Sequence, residues 1–310
     1  MLINLFNNVN VSSKLFTLTN TTLSSSLLAK DNLEELAAKE IDESLSLYYE
    51  KNKDKKVIVK AFSFQPNLNG YGIIVKEKKE ELKKGLEKIK SLNEVKFAIS
   101  KQDKSLIEDL KLHGEVIKVP AITDLYDSKL ISKVYGKSND VIIYDIIDII
   151  KLGQALLGKE VENYVTVYGS AIEGNKVVAI NSDTTYNDLF KGLNGKEADL
   201  VKVVDGGSLN GTPVYDLNSK INNNSKGLLF LSNADLPSKD NYSCINCAKC
   251  LRACPEGLSP IKLMDLSKRN EKEEFMKFGG NKCIDCGLCS FVCPSNIEIA
   301  QIIKTAKVFN

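Results

Sequence analysis

Tryptophan is absent from this 310-residue chain, and histidine occurs once, as His113. With no second histidine, neither a histidine-ligated metal nor an imidazole-centred triad is supported. His113 falls at the end of a predicted helix, before Gly114, where a helix-terminal cation is its simpler role. No apolar run approaches the roughly 20 residues needed to cross a bilayer, so no direct membrane span is expected. No GxGxxG or GxxxxGK motif occurs, which argues against ATP-driven chemistry, and Gly70 and Gly72 merely flank Tyr71. Charge is balanced to +2, which argues against nucleic acid as the main partner. Cysteine is missing from the first 243 residues. What remains, 43% hydrophobic and 26% charged, is ordinary for a soluble globular protein of two or three domains.

All eight cysteines lie in the last 67 residues, in two copies of CxxCxxCxxxCP. The first is Cys244, Cys247, Cys250 and Cys254 before Pro255; the second is Cys283, Cys286, Cys289 and Cys293 before Pro294. Three thiolates separated by two residues each can wrap three corners of one cube, and the fourth lies too far along the chain to reach the same cube comfortably. The proline after it turns the chain without leaving a donor unsatisfied. This is the ligand set of two [4Fe–4S] clusters, and in two-cluster ferredoxins the fourth cysteine of each run serves the other cluster. Cys244, Cys247, Cys250 and Cys293 are thereby assigned to one cluster, and Cys283, Cys286, Cys289 and Cys254 to the other. Ile245, Ile284, Leu288 and Val292 lie between the ligands and are expected to help exclude water.

Three alternatives fit less well. Disulfides need an oxidising compartment, whereas the first 29 residues carry one lysine and no unbroken apolar run, so a cytoplasmic location is expected. Structural zinc uses two CxxC pairs, leaving a third closely spaced cysteine and a proline surplus. Unpaired core cysteines would not repeat in this way. Residues 241 to 310 hold ten Lys/Arg and seven Asp/Glu, an excess that the cluster charge would more than cancel.

Along the chain, residues 1 to 30 read as a lead-in, and a helix is expected from Asp31 with Glu34 as its capping-box partner. Strands are expected at 56–62 and 73–75, and then helix and strand alternate: helix 80–92, strand 95–99, helix 105–112, strand 116–119 ending at Pro120, helix 127–135, strand 140–144, and helix 146–157 closed by Gly158. Alternation of this kind implies a parallel sheet covered by helices. From residue 159 the pattern becomes β-rich, at 164–168, 176–180, 202–204, 213–215 and 227–232, with one helix at 185–193. A small sheet holding one helix is a β-grasp-like unit. Gly206 and Gly207 read as a tight turn rather than a ligand contact, and Lys76 to Lys90 as a solvated helix face. Apolar spacing over 259–278 predicts one or two helices between the cysteine runs, hence a helical rather than a compact β-type ferredoxin module. The fold class is thus α/β: a Rossmann-like domain over 31–158, a β-grasp domain over 159–235 and a dicluster ferredoxin domain over 236–310.

The order of features resembles the C subunit of the Rnf electron-transport complex. The residues that carry the likeness are YDSKLISKVYG from Tyr126, VIIYDIIDIIKLGQALLGKEVENYVTVYG ending at Gly169, VVDGGSLNGTPV from Val203, KGLLFLS from Lys226 and both cysteine runs. The resemblance implies an α/β domain like that of the flavin-carrying subunit of respiratory complex I, a soluble-ligand-binding β-grasp domain and the ferredoxin module. It also implies electron exchange between a flavin, NAD(H) and the clusters. The chain departs from the family where that chemistry resides. A glycine-rich loop of the form GGAGFPT is missing before the strand at 56–62. The acidic motif of the form NxxECEPY aligns with Lys60 to Pro66, which keeps Ala61 and Pro66 alone.

Backbone N–H groups must approach phosphate closely, so FMN and NAD(H) are expected to be absent, and residues 30 to 235 read as a scaffold rather than an altered nucleotide pocket. The expected function is relay of single electrons through two clusters, with a ferredoxin, a flavoprotein or a membrane-bound Rnf-type complex as partner, in the cytoplasm or peripheral on the inner face of the membrane. The alternatives are a flavin- or NAD(H)-dependent oxidoreductase subunit with an altered pocket, and a sensor or interaction module with structural clusters.

Overall fold

The computed structural model describes residues 17–19, 52–63, 65, 66, 68, 70–119, 127–136, 140–222, 224–236 and 242–308. The expected helix from Asp31 lies outside the described residues, as does Pro120. Thr17–Thr19 forms β1, which pairs parallel with a later strand and adds an edge that no periodicity announced.

The first sheet holds β2 (Lys56–Ala61), β3 (Glu94–Ser100), β4 (Glu115–Val119) and β5 (Val141–Asp145), all parallel, in the order β4-β3-β2-β5. Strand β2 is apolar on both sides because both sides are covered. Val57, Val59, Phe97 and Ile99 pack under helices α1 (Tyr71–Glu77), α2 (Lys79–Lys90), α3 (Lys104–Lys111) and a fifth helix named below. Ile58, Ala98 and Val119 pack on the opposite face with Leu130 and Val134 of α4 (Asp127–Tyr135). The expected strand at 73–75 is a correction: Ile73 to Val75 lie in α1. Tyr71, Ile74 and Val75 are the buried side chains of that helix, so burial at helical spacing overrides the β-propensity of an Ile-Ile-Val run.

Helix α5 (Ile146–Leu156) crosses α2 at backbone contact. A Cβ at Gly153 would lie 1.8 Å from the Glu81 carbonyl oxygen, and one at Gly85 2.1 Å from that of Ile149. The two helices approach this closely because both crossing points lack a side chain.

The second sheet has the order β1-β7-β6-β10-β8-β9, formed with β6 (Asn163–Tyr168), β7 (Lys176–Ile180), β8 (Lys202–Asp205), β9 (Thr212–Val214) and β10 (Gly227–Leu231). β6 pairs antiparallel with β7 and parallel with β10, the mixed pairing of a β-grasp unit. Helix α6 (Tyr186–Gly192) starts at a capping box of Thr185 and Asp188 and packs Leu189 and Phe190 on Val165, Val178 and Phe230. Tyr164 and Val177 belong to the core of the first unit, so the two sheets share a packed boundary.

The last segment contains no strand among its described residues. It comprises α7 (Lys249–Ala253), α8 (Pro260–Lys268), α9 (Lys272–Lys277), α10 (Leu288–Phe291) and α11 (Ile299–Val308). Leu263 and Leu266 of α8, Phe275 of α9 and Ile299 and Ile303 of α11 form its core.

Candidate functional site

Each cysteine run begins in an extended loop and ends in a short helix. The bends come from left-handed residues at matching places: Asn246 (φ 54°) and Ala248 (φ 58°) in the first run, Asp285 (φ 53°) and Gly287 (φ 78°) in the second. Chains that turn through such conformations aim successive N–H groups into a concavity suited to anions, iron–sulfur clusters included. The Asn246 N–H donates to Cys244 Sγ at 3.4 Å. Backbone donors also reach Cys250 from Leu251, Cys283 from Asp285 and Cys289 from Ser290.

A small cavity is lined by Cys244, Cys247 and Cys250 together with Cys293 of the other run, and by Ile261, Met264, Ile297 and Ile299. Cys254 ends α7 directly after Ala253, which packs with Cys286 and Leu288 of the second run. Among the described residues no three His, Cys, Asp or Glu side chains converge as around a single ion; the thiols ring a space instead. Burial pushes the thiols of Cys250 and Cys283 up, and that of Cys289 to about 12, where nearby Cys286 also disfavours charge. Such thiols release their protons on binding a cation, so the donor set and its lining fit iron–sulfur clusters.

The four residues expected to exclude water divide. Leu288 is fully buried and Val292 packs beside it; Ile245, although 67% exposed, lines the cavity at its outer side, whereas Ile284 is 43% exposed and lies outside that lining, which corrects the expectation for Ile284. Further apolar cover comes from the helices, as the spacing of Ile261 and Met264 could have indicated, and from Leu209, for which no local signal exists. Leu209 sits in the loop after β8 and packs against the second run, where its carbonyl oxygen would lie 2.0 Å from a Cβ at Gly287. Gln65, buried and next to Pro66, accepts the Leu209 N–H at 3.0 Å and donates to Asn210. Gly207 meets this Gln65 side chain as well, so the glycine pair serves chain packing.

On a sheet of this order, ligands ordinarily enter at the carboxyl ends of the strands where the winding reverses, here between β2 and β5. Asp145 ends β5, and its Oδ1 accepts the Ile147 N–H at 3.0 Å as cap of α5. Its Oδ2 accepts Tyr71 Oη at 3.0 Å and the Lys226 ammonium. Tyr71 is buried, and desolvation with the Asp145 charge holds its phenol well above the ordinary range, so it stays a donor. His113 lies just beyond α3 with its pKa lowered by burial and by Lys90, against the expected helix-end cation.

The 4Fe-4S dicluster domain family matches residues 243–297. The chain is 31% identical over 114 residues to the C subunit of the proton-translocating ferredoxin:NAD(+) oxidoreductase complex of Clostridium ljungdahlii, covering 37% of this chain and 25% of that protein. It is 26% identical over 109 residues to the C subunit of the Na(+)-translocating ferredoxin:NAD(+) oxidoreductase complex of Acetobacterium woodii, covering 35% and 25%. To the C subunit of the ion-translocating oxidoreductase complex of Rhodobacter capsulatus it is 29% identical over 158 residues, covering 51% and 30%. The matched segments thus span only about a quarter to a third of those relatives. Among solved structures, an NAD+-reducing [NiFe]-hydrogenase in the H2-reduced state superposes with a TM-score of 0.53 at 9% identity, covering 86% of this chain and 56% of that one. At that identity the likeness is one of fold. The similarity to these C subunits of Rnf-type complexes and the dicluster match support iron–sulfur electron transfer.

Proposed function

We propose that the chain relays single electrons through two [4Fe–4S] clusters, one held by Cys244, Cys247, Cys250 and Cys293 and the other by Cys283, Cys286, Cys289 and Cys254. The observation that carries this reading is the cavity into which both cysteine runs contribute thiols. The clusters would supply reversible one-electron exchange, and the protein supplies burial, N–H donors and charge around the sulfurs. Leu288, Val292, Met264 and Leu209 keep water from the ligands, while the exposed Cys244 loop offers a short route to a partner.

The same reading holds that the chain has no flavin or NAD(H) exchange of its own. Its support is positive: Tyr71 and Lys226 both donate to Asp145 at the reversal point of the first sheet, and Gln65 is spent on Leu209 and Asn210. The partners are then other redox proteins, a ferredoxin, a flavoprotein or a membrane-bound complex of the Rnf type, the last supported by the names of the curated relatives. No helix among the described residues is long and apolar enough to cross a membrane, so attachment to such a complex would be peripheral.

The test is anaerobic purification followed by visible spectroscopy with NADH and then with dithionite. Bleaching by dithionite alone, reversed by an oxidant, is the expected result. Bound flavin, or bleaching by NADH, would return the nucleotide-dependent alternative, and clusters that cannot be cycled would return the sensor or interaction module.

A further inference from the structure

We propose that the two cysteine loops are electrostatically unequal, and that Asp285 makes the second loop's cluster the stronger reductant, so that electrons run downhill from the covered side of the module to the exposed Cys244 loop. The inference rests on the two-cluster reading above and adds a direction to it.

The loops correspond residue by residue: Cys-Ile-Asn-Cys-Ala-Lys-Cys-Leu-Arg-Ala-Cys-Pro from Cys244, and Cys-Ile-Asp-Cys-Gly-Leu-Cys-Ser-Phe-Val-Cys-Pro from Cys283. Their left-handed residues also correspond, Asn246 with Asp285 and Ala248 with Gly287. With the backbone turns shared, the loops differ in charge. Lys249 and Arg252 of the first correspond to Leu288 and Phe291 of the second, and Asn246 to Asp285. The first loop carries two positive charges and the second one negative charge, a difference of three, with every substitution in the same sense. Lys249 and Arg252 are exposed to screening by solvent, as are Glu256 and Lys282 just outside the loops, whereas Asp285 is partly buried, so Asp285 carries most of the asymmetry.

The contacts to sulfur repeat as well. Asn246 Oδ1 lies 3.6 Å from Cys244 Sγ, and Asp285 Oδ1 lies 3.6 Å from Cys283 Sγ. One contact is neutral and the other anionic. Lys307, from α11, donates at 2.7 Å both to Asp285 Oδ2 and to the Cys283 carbonyl oxygen, which fixes the carboxylate beside the sulfur. The ammonium offsets part of the carboxylate's charge, so its removal acts in the opposite direction to removal of Asp285.

Uptake of an electron adds negative charge, which Asp285 opposes and Lys249 and Arg252 favour; potentials follow local charge and solvent exposure. Exposure acts with the same sign. Cys244 is exposed, whereas Cys286 and Cys289 are buried and Leu209 packs over the second loop. An electron delivered by an external one-electron donor leaves the second loop's cluster and arrives at the first loop's, with no other change in composition.

The test is a redox titration followed by electron paramagnetic resonance on the anaerobic full-length chain, once iron analysis has returned eight irons. Two separate midpoints are expected. Asp285→Asn should raise the lower one by about 59 mV or more, which is a tenfold change for a one-electron couple. Asn246→Asp should lower the upper one, and Lys307→Met should lower the lower one further. A purely structural role for Asp285 would alter thermal stability and leave the midpoints in place. Unmoved midpoints in Asp285→Asn, or a shift confined to the upper one, would overturn the inference while leaving the two-cluster reading intact. Protein without eight irons would overturn both.

Discussion

Gly287 and Ala248 occupy equivalent left-handed positions in the two loops; Ala248 carries a Cβ there, whereas one at Gly287 would meet the Leu209 carbonyl oxygen. Gly287→Ala should therefore cost about 1–2 kcal/mol from conformation alone, and more from the collision. Ala248→Gly should stay within about 1 kcal/mol of the native protein. Chemical denaturation of the loaded protein separates the two, and equal losses would mean that Leu209 is not seated there. Gln65 acts through the same loop. Replacing it with alanine leaves the Leu209 N–H and Asn210 without their partner, at about 1–2 kcal/mol, and should hasten cluster bleaching in air because Leu209 loses its anchor. Bleaching at the native rate would show that Leu209 holds its place by packing alone.

Among the elements, the crossing of α2 and α5 depends on Gly85 and Gly153. Alanine is the better helix former by about 1 kcal/mol, so propensity alone has Gly153→Ala stabilising. Overpacking against the Glu81 carbonyl reverses the sign, with an expected loss of about 2 kcal/mol or more in thermal unfolding. A gain would show that the helices can part. Helix α1 is the second telling element. It brings Tyr71 to Asp145, and Tyr71→Phe should cost about 1.5–3 kcal/mol, the range for a hydrogen bond to a charged group, without creating NADH-dependent reduction. A variant that gained flavin binding would show the crevice to be a blocked pocket rather than a structural contact.

At the scale of the molecule, most of the fold was legible because its signals are local: apolar runs for β2 and β5, amphipathic spacing for α2 and α3, and Thr185 with Asp188 for the start of α6. The strand wrongly expected over Ile73 to Val75 shows the limit, since an Ile-Ile-Val run carries β-propensity in itself while its helix is imposed by two sheets that bury Tyr71 and Val75. Within the site, the cysteines were legible from spacing, and the helical lining partly so from Ile261 and Met264. Leu209, Gln65 and Lys307 were not, because their contacts span 22 to 145 residues of sequence and leave no periodic trace. The chain aligns with a quarter to a third of its curated relatives, and the part that keeps the clearest signature is the one that carries the thiols.

The most direct measurement is the content of iron, acid-labile sulfide, zinc and disulfide in the chain purified without oxygen. Two cubane clusters built from both runs require about eight irons and eight sulfides per chain, with no zinc. Stoichiometric zinc, or thiols joined in S–S bonds, would contradict the electron-relay account.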